Sequence, residues 1–344
     1  MIESKANPNM ITLARESRGL MQNELADKMN THQSFISKIE LGQIPVEDNA
    51  LDIFEKVLKY PKSFFHQEGE IYPSLLTYRK RDNVAQKLLS PIEAKANIYR
   101  LNIQSLLRAM KYSEANVAAL DLEKYEGVEG VAKQLRKHWK VPKGPVENLS
   151  EVLEDKRIML LSFDFGTARV DGRSILTEDK HPIIISNSSM PGDRQRFTLA
   201  YEIGHLVMHV QTPPAFDRDV SHEANMFAAA FLMPAKEIKL DFDDNITIAK
   251  LAELKKKWKV SMQALLYRAS DLGLLTDNQK RYLLQQFNAM NIRRREPVEL
   301  DIPKETPMLL RNLITKYKTT QGLNLKALSA FFHLEAEEFS SMYS

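Results

Sequence analysis

One short stretch, Tyr201-Glu202-Ile203-Gly204-His205, has residue types and a spacing that metal-assisted hydrolysis uses. In His-Glu-x-x-His on a helix, two imidazoles one turn apart bind a zinc ion and the carboxylate between them activates the bound water. Here the first histidine is replaced by Tyr201. A phenol with an ordinary pKa near ~10 keeps its proton at neutral pH and is a poor substitute for a neutral imidazole. Glu202 and His205 remain as a base and a single ligand, with His209 four residues beyond and His222 further along the chain.

These residues need a helix to hold them. From Arg194, the apolar residues Phe197, Leu199, Ala200, Ile203, Leu206 and Val207 recur at three- and four-residue spacing, which predicts a well-buried helix with Asp193 as its N-cap. After a loop containing Pro213 and Pro214, Ser221 to Pro234 predicts a second helix. Together the two stretches resemble the ImmA/IrrE metallopeptidase family. That family pairs a His-Glu-x-Gly-His helix with a Glu-x-x-Ala-Asn/Asp-x-Phe-Ala helix ending in Leu-Met-Pro.

The resemblance implies the general-base position for Glu202, the second histidine ligand for His205 and a polar position behind the ligands for Asn225. It puts Ser221 where the family has its third ligand, a glutamate. Glu223, the nearest carboxylate, lies about 200° around the helix from Ser221 and is expected to point elsewhere. One ligand position of three is retained, whereas a catalytic zinc normally takes three protein ligands. The expectation is a vestigial Glu202 with no metal and no cofactor. Zinc enters only if the domain is active after all, or if His209 or His222 builds a relocated site.

Arg157 to Phe163, Val170 to Leu176 around an Asp171-Gly172 turn signal, and His181 to Ser186 predict three strands ahead of this helix. In zinc-peptidase domains an edge strand pairs with the extended substrate. Ile183 to Ser186 is the expected edge, and the cleft between it and the Tyr201/His205 helix either binds a protein segment or is filled by Tyr201 bonding to His205 or Ser221.

A second pattern occupies residues 7 to 66, where four short amphipathic helices are predicted at Met10 to Arg18, Gln22 to Met29, Gln33 to Leu41 and Asn49 to Val57. Gln22-Asn-Glu-Leu-Ala, a turn at Asn30-Thr-His, and Gln33-Ser-Phe-Ile-Ser-Lys-Ile-Glu-Leu-Gly resemble the XRE/Cro-type helix-turn-helix. In that geometry the helix from Gln33 enters the major groove with its first residues on base edges. Gln33, Ser34 and Lys38 are then the base readers and Gln22 a phosphate contact, while Glu40 is structural. Eight Lys/Arg against nine Asp/Glu up to His66 leave little phosphate attraction, so two subunits on paired half-sites are expected.

The 344 residues, 43% hydrophobic and 27% charged, suit a soluble protein of more than one domain. No cysteine is present, which excludes a thiol nucleophile and a Cys-ligated zinc module. No apolar run approaches the about 18 residues of a membrane span and no signal-peptide layout opens the chain, so a cytoplasmic location is expected. Between the two motifs, Tyr78 to Arg81 is a basic cluster, residues 91 to 112, Val128 to His138 and Val146 to Glu154 predict helices, and Trp139 is expected in a core beside a surface His138. Ile246 to Lys259 and Ser261 to Asp271 form a helix pair expected to pack internally, and Arg293 to Arg295 is a solvated basic turn.

The expected fold is α+β and mainly α. A helix-turn-helix domain (residues 1–68) precedes a helical connecting region (69–150), a zincin-like domain with a small sheet (151–290) and a helical tail (291–344). The favoured function is a DNA-binding transcriptional regulator, of the kind that can act as an antitoxin or autorepressor. It would bind double-stranded DNA as a homodimer, with a toxin or repressor as possible protein partner and no membrane contact. The alternative is a zinc-dependent endopeptidase that cleaves a repressor.

Overall fold

The computed structural model describes residues 5–72, 79–80, 84–115, 117–210, 217–242 and 245–343. Pro213, Pro214, Tyr78 and Arg81 lie outside the described residues. The chain opens with four helices, α1 (Pro8–Ser17), α2 (Gln22–Lys28), α3 (Gln33–Glu40) and α4 (Asp48–Leu58), then the short α5 (Lys62–Phe65). Asn7 caps α1 by accepting from the Asn9 amide at 3.0 Å, and Pro8 stands at its first turn, where no amide is missed. The apolar stripes of these helices close on Met10, Leu13, Leu25, Ile36, Ile39, Leu51 and Phe54, all buried.

A two-residue strand, β1 (Arg79–Lys80), and a long helix, α6 (Gln86–Ala109), follow. The latter starts five residues ahead of the helix expected from residue 91, and packs against α1. Then come α7 (Val128–His138) and α8 (Leu149–Asp155), with Trp139 buried edge-on to Phe231 and His138 exposed.

The sheet consists of β1, β2 (Met159–Phe163), β3 (Val170–Leu176) and β4 (Pro182–Asn187), in the order β1-β3-β4-β2. β4 is antiparallel to β3 and parallel to β2, with Ile184 opposite Ser174 on one side and Leu160 on the other. Ile183 to Ser186 is therefore a central strand, not the expected edge. The physical cause is burial on both faces, which suits the unbroken Ile183-Ile184-Ile185 run to the middle of a sheet. The Asp171-Gly172 signal makes no turn either, because Gly172 sits within β3 opposite Ser186. A Cβ there would lie 2.6 Å from the Thr198 side chain, so this glycine lets a helix cross the sheet closely.

That helix is α9 (Gly192–His205), capped by Pro191 and continued by a π-helical turn over Leu206–Val210. Asp193, the expected cap, lies inside the first turn and binds Lys255 Nζ at 2.5 Å instead. Packed along α9 is α10 (Val220–Leu232), followed by α11 (Ala235–Ile238), α12 (Ile248–Trp258), α13 (Met262–Asp271) and α14 (Asp277–Ala289). The tail is α15 (Leu309–Gln321), α16 (Leu325–Phe331) and α17 (Ala336–Tyr343).

The sheet separates two cores. Met159, Ile183 and Ile185 face α1 to α6 and the tail helices, whereas Leu160 and Ile184 face α7 to α14. Successive strand residues point to opposite faces, which gives this division. The α12–α13 pair is internal, with Trp258 and Leu265 buried in the second core. The tail meets the first helices at Arg18, whose Nη1 donates to Glu338 Oε1 at 2.8 Å.

Candidate functional site

Helices α9 and α10 bring together the residues that the sequence singled out. Gly204 makes their approach possible, since a Cβ there would stand 3.0 Å from the Phe227 ring of α10. Tyr201 is fully buried and its hydroxyl lies 3.0 Å from Ser221 Oγ, so the two residues at the altered positions are hydrogen-bonded to each other. Glu202 is also buried and accepts from Ser174 Oγ of β3 at 2.8 Å. Nothing in the spacing of the sequence marks Ser174, which reaches Glu202 only because α9 lies across the sheet.

The histidines form a separate chain. His205 Nδ1 and His209 Nδ1 are 2.9 Å apart, and His209 Nε2 lies 2.8 Å from Glu223 Oε2. Arg218 holds that carboxylate with both arms, Nε to Oε1 at 2.9 Å and Nη2 to Oε2 at 2.6 Å. Glu223 thus faces away from the Tyr201–Ser221 pair, as its angle on the helix predicts, but its role as the anchor of His209 was not foreseen. Burial pushes the His205 imidazole down to about 3, helped by neighbouring His209 and opposed by Glu223. Burial also lowers His209, against the upward pull of Glu223. For Glu223, burial works upward, but the hydrogen bonds from Arg218 and His209 outweigh it and hold the carboxyl below its ordinary value.

The donor set does not fit a catalytic zinc. His205 Nε2 is buried without a hydrogen-bond partner among the described residues, but the groups at the two other ligand positions are a phenol and an alcohol occupied with each other. His209 is turned to Glu223, and His222 is exposed. Among the described residues, no three His, Cys, Asp or Glu side chains form a group able to hold a metal ion. Asn225 is exposed too and donates to the Ser221 carbonyl at 2.9 Å.

The helix-turn-helix presents the opposite arrangement. Arg15 Nε and Nη2 donate to Glu40 at 2.6 and 2.9 Å, and Gln22 Nε2 donates to the same carboxylate at 2.7 Å. Gln22 Oε1 then accepts from Gln33 Nε2 at 2.7 Å. A nearly buried ion pair is thereby linked, through Gln22, to the first residue of α3. Gln33, Ser34 and Lys38 are exposed along that helix, while Ile36 and Ile39 on its other side are buried.

The helix-turn-helix family matches residues 11–65, and the family described as the IrrE N-terminal-like domain matches residues 153–270. The chain is also similar to the radiation response metalloprotease IrrE of Deinococcus radiodurans, 33% identical over 106 residues. That stretch is 27% of this chain and 32% of the relative, so the likeness spans about a third of IrrE. No helix among the described residues is long and apolar enough to cross a membrane. The chain thus joins an XRE-type helix-turn-helix domain to an IrrE N-terminal-like domain.

Proposed function

We propose that this chain is a DNA-binding transcriptional regulator whose IrrE-like domain has given up hydrolysis and serves for sensing, partner binding or dimerisation. The observation that carries this reading is the 3.0 Å contact between Tyr201 and Ser221, at the two positions where the family resemblance calls for zinc ligands. A protonated phenol bonded to an alcohol supplies no charge to a metal and closes the space a bound water would need. On the DNA side, Gln33, Ser34 and Lys38 read base edges in the major groove, with Gln22 on the backbone. The near balance of charge in the first domain favours a homodimer on paired half-sites, in the cytoplasm, where an antitoxin or autorepressor would meet both its operator and its protein partner.

Elemental analysis of the purified protein tests the reading. Well under one equivalent of zinc is expected, and Glu202→Gln should leave regulation of the operator unchanged. The competing reading, a zinc endopeptidase, draws on the retained Glu202 and His205 and on the name of the IrrE relative. Stoichiometric zinc that disappears in His205→Ala would establish it in place of the first.

A further inference from the structure

Between the start of α9, α10, α13 and the Arg293–Arg295 turn lies a half-open cavity of about 1080 Å³. Its volume exceeds what a bare ion requires and is close to the upper limit of about 1,000 Å³ for small-molecule sites. Several cations line it, and most are already committed. Arg194 pairs with Asp171, Arg295 with Asp301, and Lys304 donates to the Ser188 carbonyl at 2.6 Å. Lys280, Arg293 and Arg294 have no carboxylate at ion-pair distance among the described residues, although Lys280 Nζ lies 5.0 Å from the Tyr267 ring centroid and Arg293 donates to Asn288 Oδ1 at 3.4 Å. Of the acids in the wall, Asp193 and Glu296 are taken by Lys255, which leaves Asp271. Three cations without an ion-pair partner among the described residues thus face one such carboxylate, an imbalance that favours an anion with more than one negative charge.

The wall is also held in place. Glu296, buried, accepts from Lys255 Nζ at 2.7 Å and from the Met262 and Gln263 amides at 3.1 and 3.2 Å, which ties the arginine turn to the start of α13. Gln263 closes the loop by donating its side-chain amide to the Arg293 carbonyl. Arg268 lines the same cavity and is only 3% exposed. Its Nε donates to the Met233 carbonyl at 3.0 Å and its Nη1 to Glu129, whereas Nη2 finds no acceptor among the described residues. A buried guanidinium N–H without a partner is unfavourable, and an anionic oxygen relieves it. Phe197, Met226 and Tyr267 supply apolar surface beside these charges.

We propose that this cavity binds a small organic phosphate: a phosphate group on Arg294, Lys280 and Arg268, and an organic portion against Phe197, Met226 and Tyr267. Guanidinium groups pair with phosphate oxygens through two N–H donors, and the three oxygens and second charge of the dianion let it engage several cations at once. Ser221, His222 and Asn225 lie in the same wall, so the cavity adjoins the candidate metal positions, but the contacts proposed for the phosphate use none of them.

The test is calorimetric titration of the full chain with adenosine monophosphate, fructose 6-phosphate and inorganic pyrophosphate, beside adenosine and fructose. Saturable binding of at least one organic phosphate is expected, with its unphosphorylated counterpart at least about tenfold weaker. Arg294→Ala and Lys280→Ala, both surface changes, should each weaken it by about tenfold, one charge-assisted contact. Arg268→Lys, which keeps the charge, tests the buried arm and should weaken it less than Arg294→Ala. Absence of binding by all three phosphates up to about 1 mM, or binding indifferent to both surface changes, overturns the proposal. So does a loss confined to operator DNA in the same variants, which would make the cavity wall a nucleic-acid contact.

Discussion

The helix-turn-helix and the IrrE-like centre each contain a buried polar network, and the two networks lead in opposite directions. In the first, the Arg15–Glu40 pair lies beneath the surface and passes its order outward, through Gln22, to an exposed Gln33. In the second, Tyr201 bonds to Ser221, His205 meets His209, which is held by Glu223, and Glu202 accepts from Ser174, while His205 Nε2 is left without a partner among the described residues. A network that ends on an exposed donor is prepared for an external partner. One whose bonds run between neighbouring elements ties α9 to α10 and to the sheet. The same residue types, a carboxylate beside polar side chains on a helix, thus lead to an exposed side chain in one place and to packed elements in the other.

The comparison predicts that changes under the DNA face alter stability and binding together, whereas changes at the IrrE-like centre alter stability alone. The largest effect should come from Glu40→Ala, which leaves Arg15 charged and without its main partner at 7% exposure. A cost of about 3–5 kcal/mol is expected in denaturant unfolding of the first domain. Next, Gln33→Ala or Lys38→Ala should each cost about 1–3 kcal/mol at the operator and little on random DNA, while Gln22→Ala weakens both. Equal losses on both DNAs for Gln33→Ala and Lys38→Ala would remove α3 from the groove.

The histidines give a pH dependence of intermediate size. His205 is held below its unfolded value, so the unfolded chain takes up a proton that the folded chain refuses as pH falls through about 6.5. Stability should therefore be full above about pH 6.5 and decline toward the folded value of about 3, with His209 acting in the same direction. The decline is ~1.4 kcal/mol per pH unit for each group fully withheld from protonation. Urea unfolding at about pH 7.5 and about pH 5.5 measures it, and His205→Phe should flatten the slope. The smallest effect is that of Tyr201→Phe, which removes one hydrogen bond to Ser221 at a cost of about 1 kcal/mol and should leave operator affinity unchanged. A drop in DNA affinity there would show that the two networks communicate.

Much of this arrangement was legible in the chain. The helices of the first domain and the three main strands fall close to where period and turn residues place them, and the internal role of the α12–α13 pair was foreseen. The central position of β4 was not, although its unbroken isoleucine run carried the signal, because strand order depends on which edges meet after folding. The Asp171-Gly172 pair was misread for a related reason. Its glycine answers a crossing helix and not a turn, and that contact is made by Thr198, far along the chain.

By itself the sequence determined the two motifs and their helical setting, since spacing on a helix fixes which side chains share a face, and its family resemblance put Tyr201 and Ser221 at positions where ligands are expected. Only the tertiary structure decided what those replacements do. The Tyr201–Ser221 bond, the Ser174 contact to Glu202 and the Arg218–Glu223 hold on His209 join α9 to other elements. Such contacts depend on the separation and angle of packed elements, which a periodic pattern along one element does not encode.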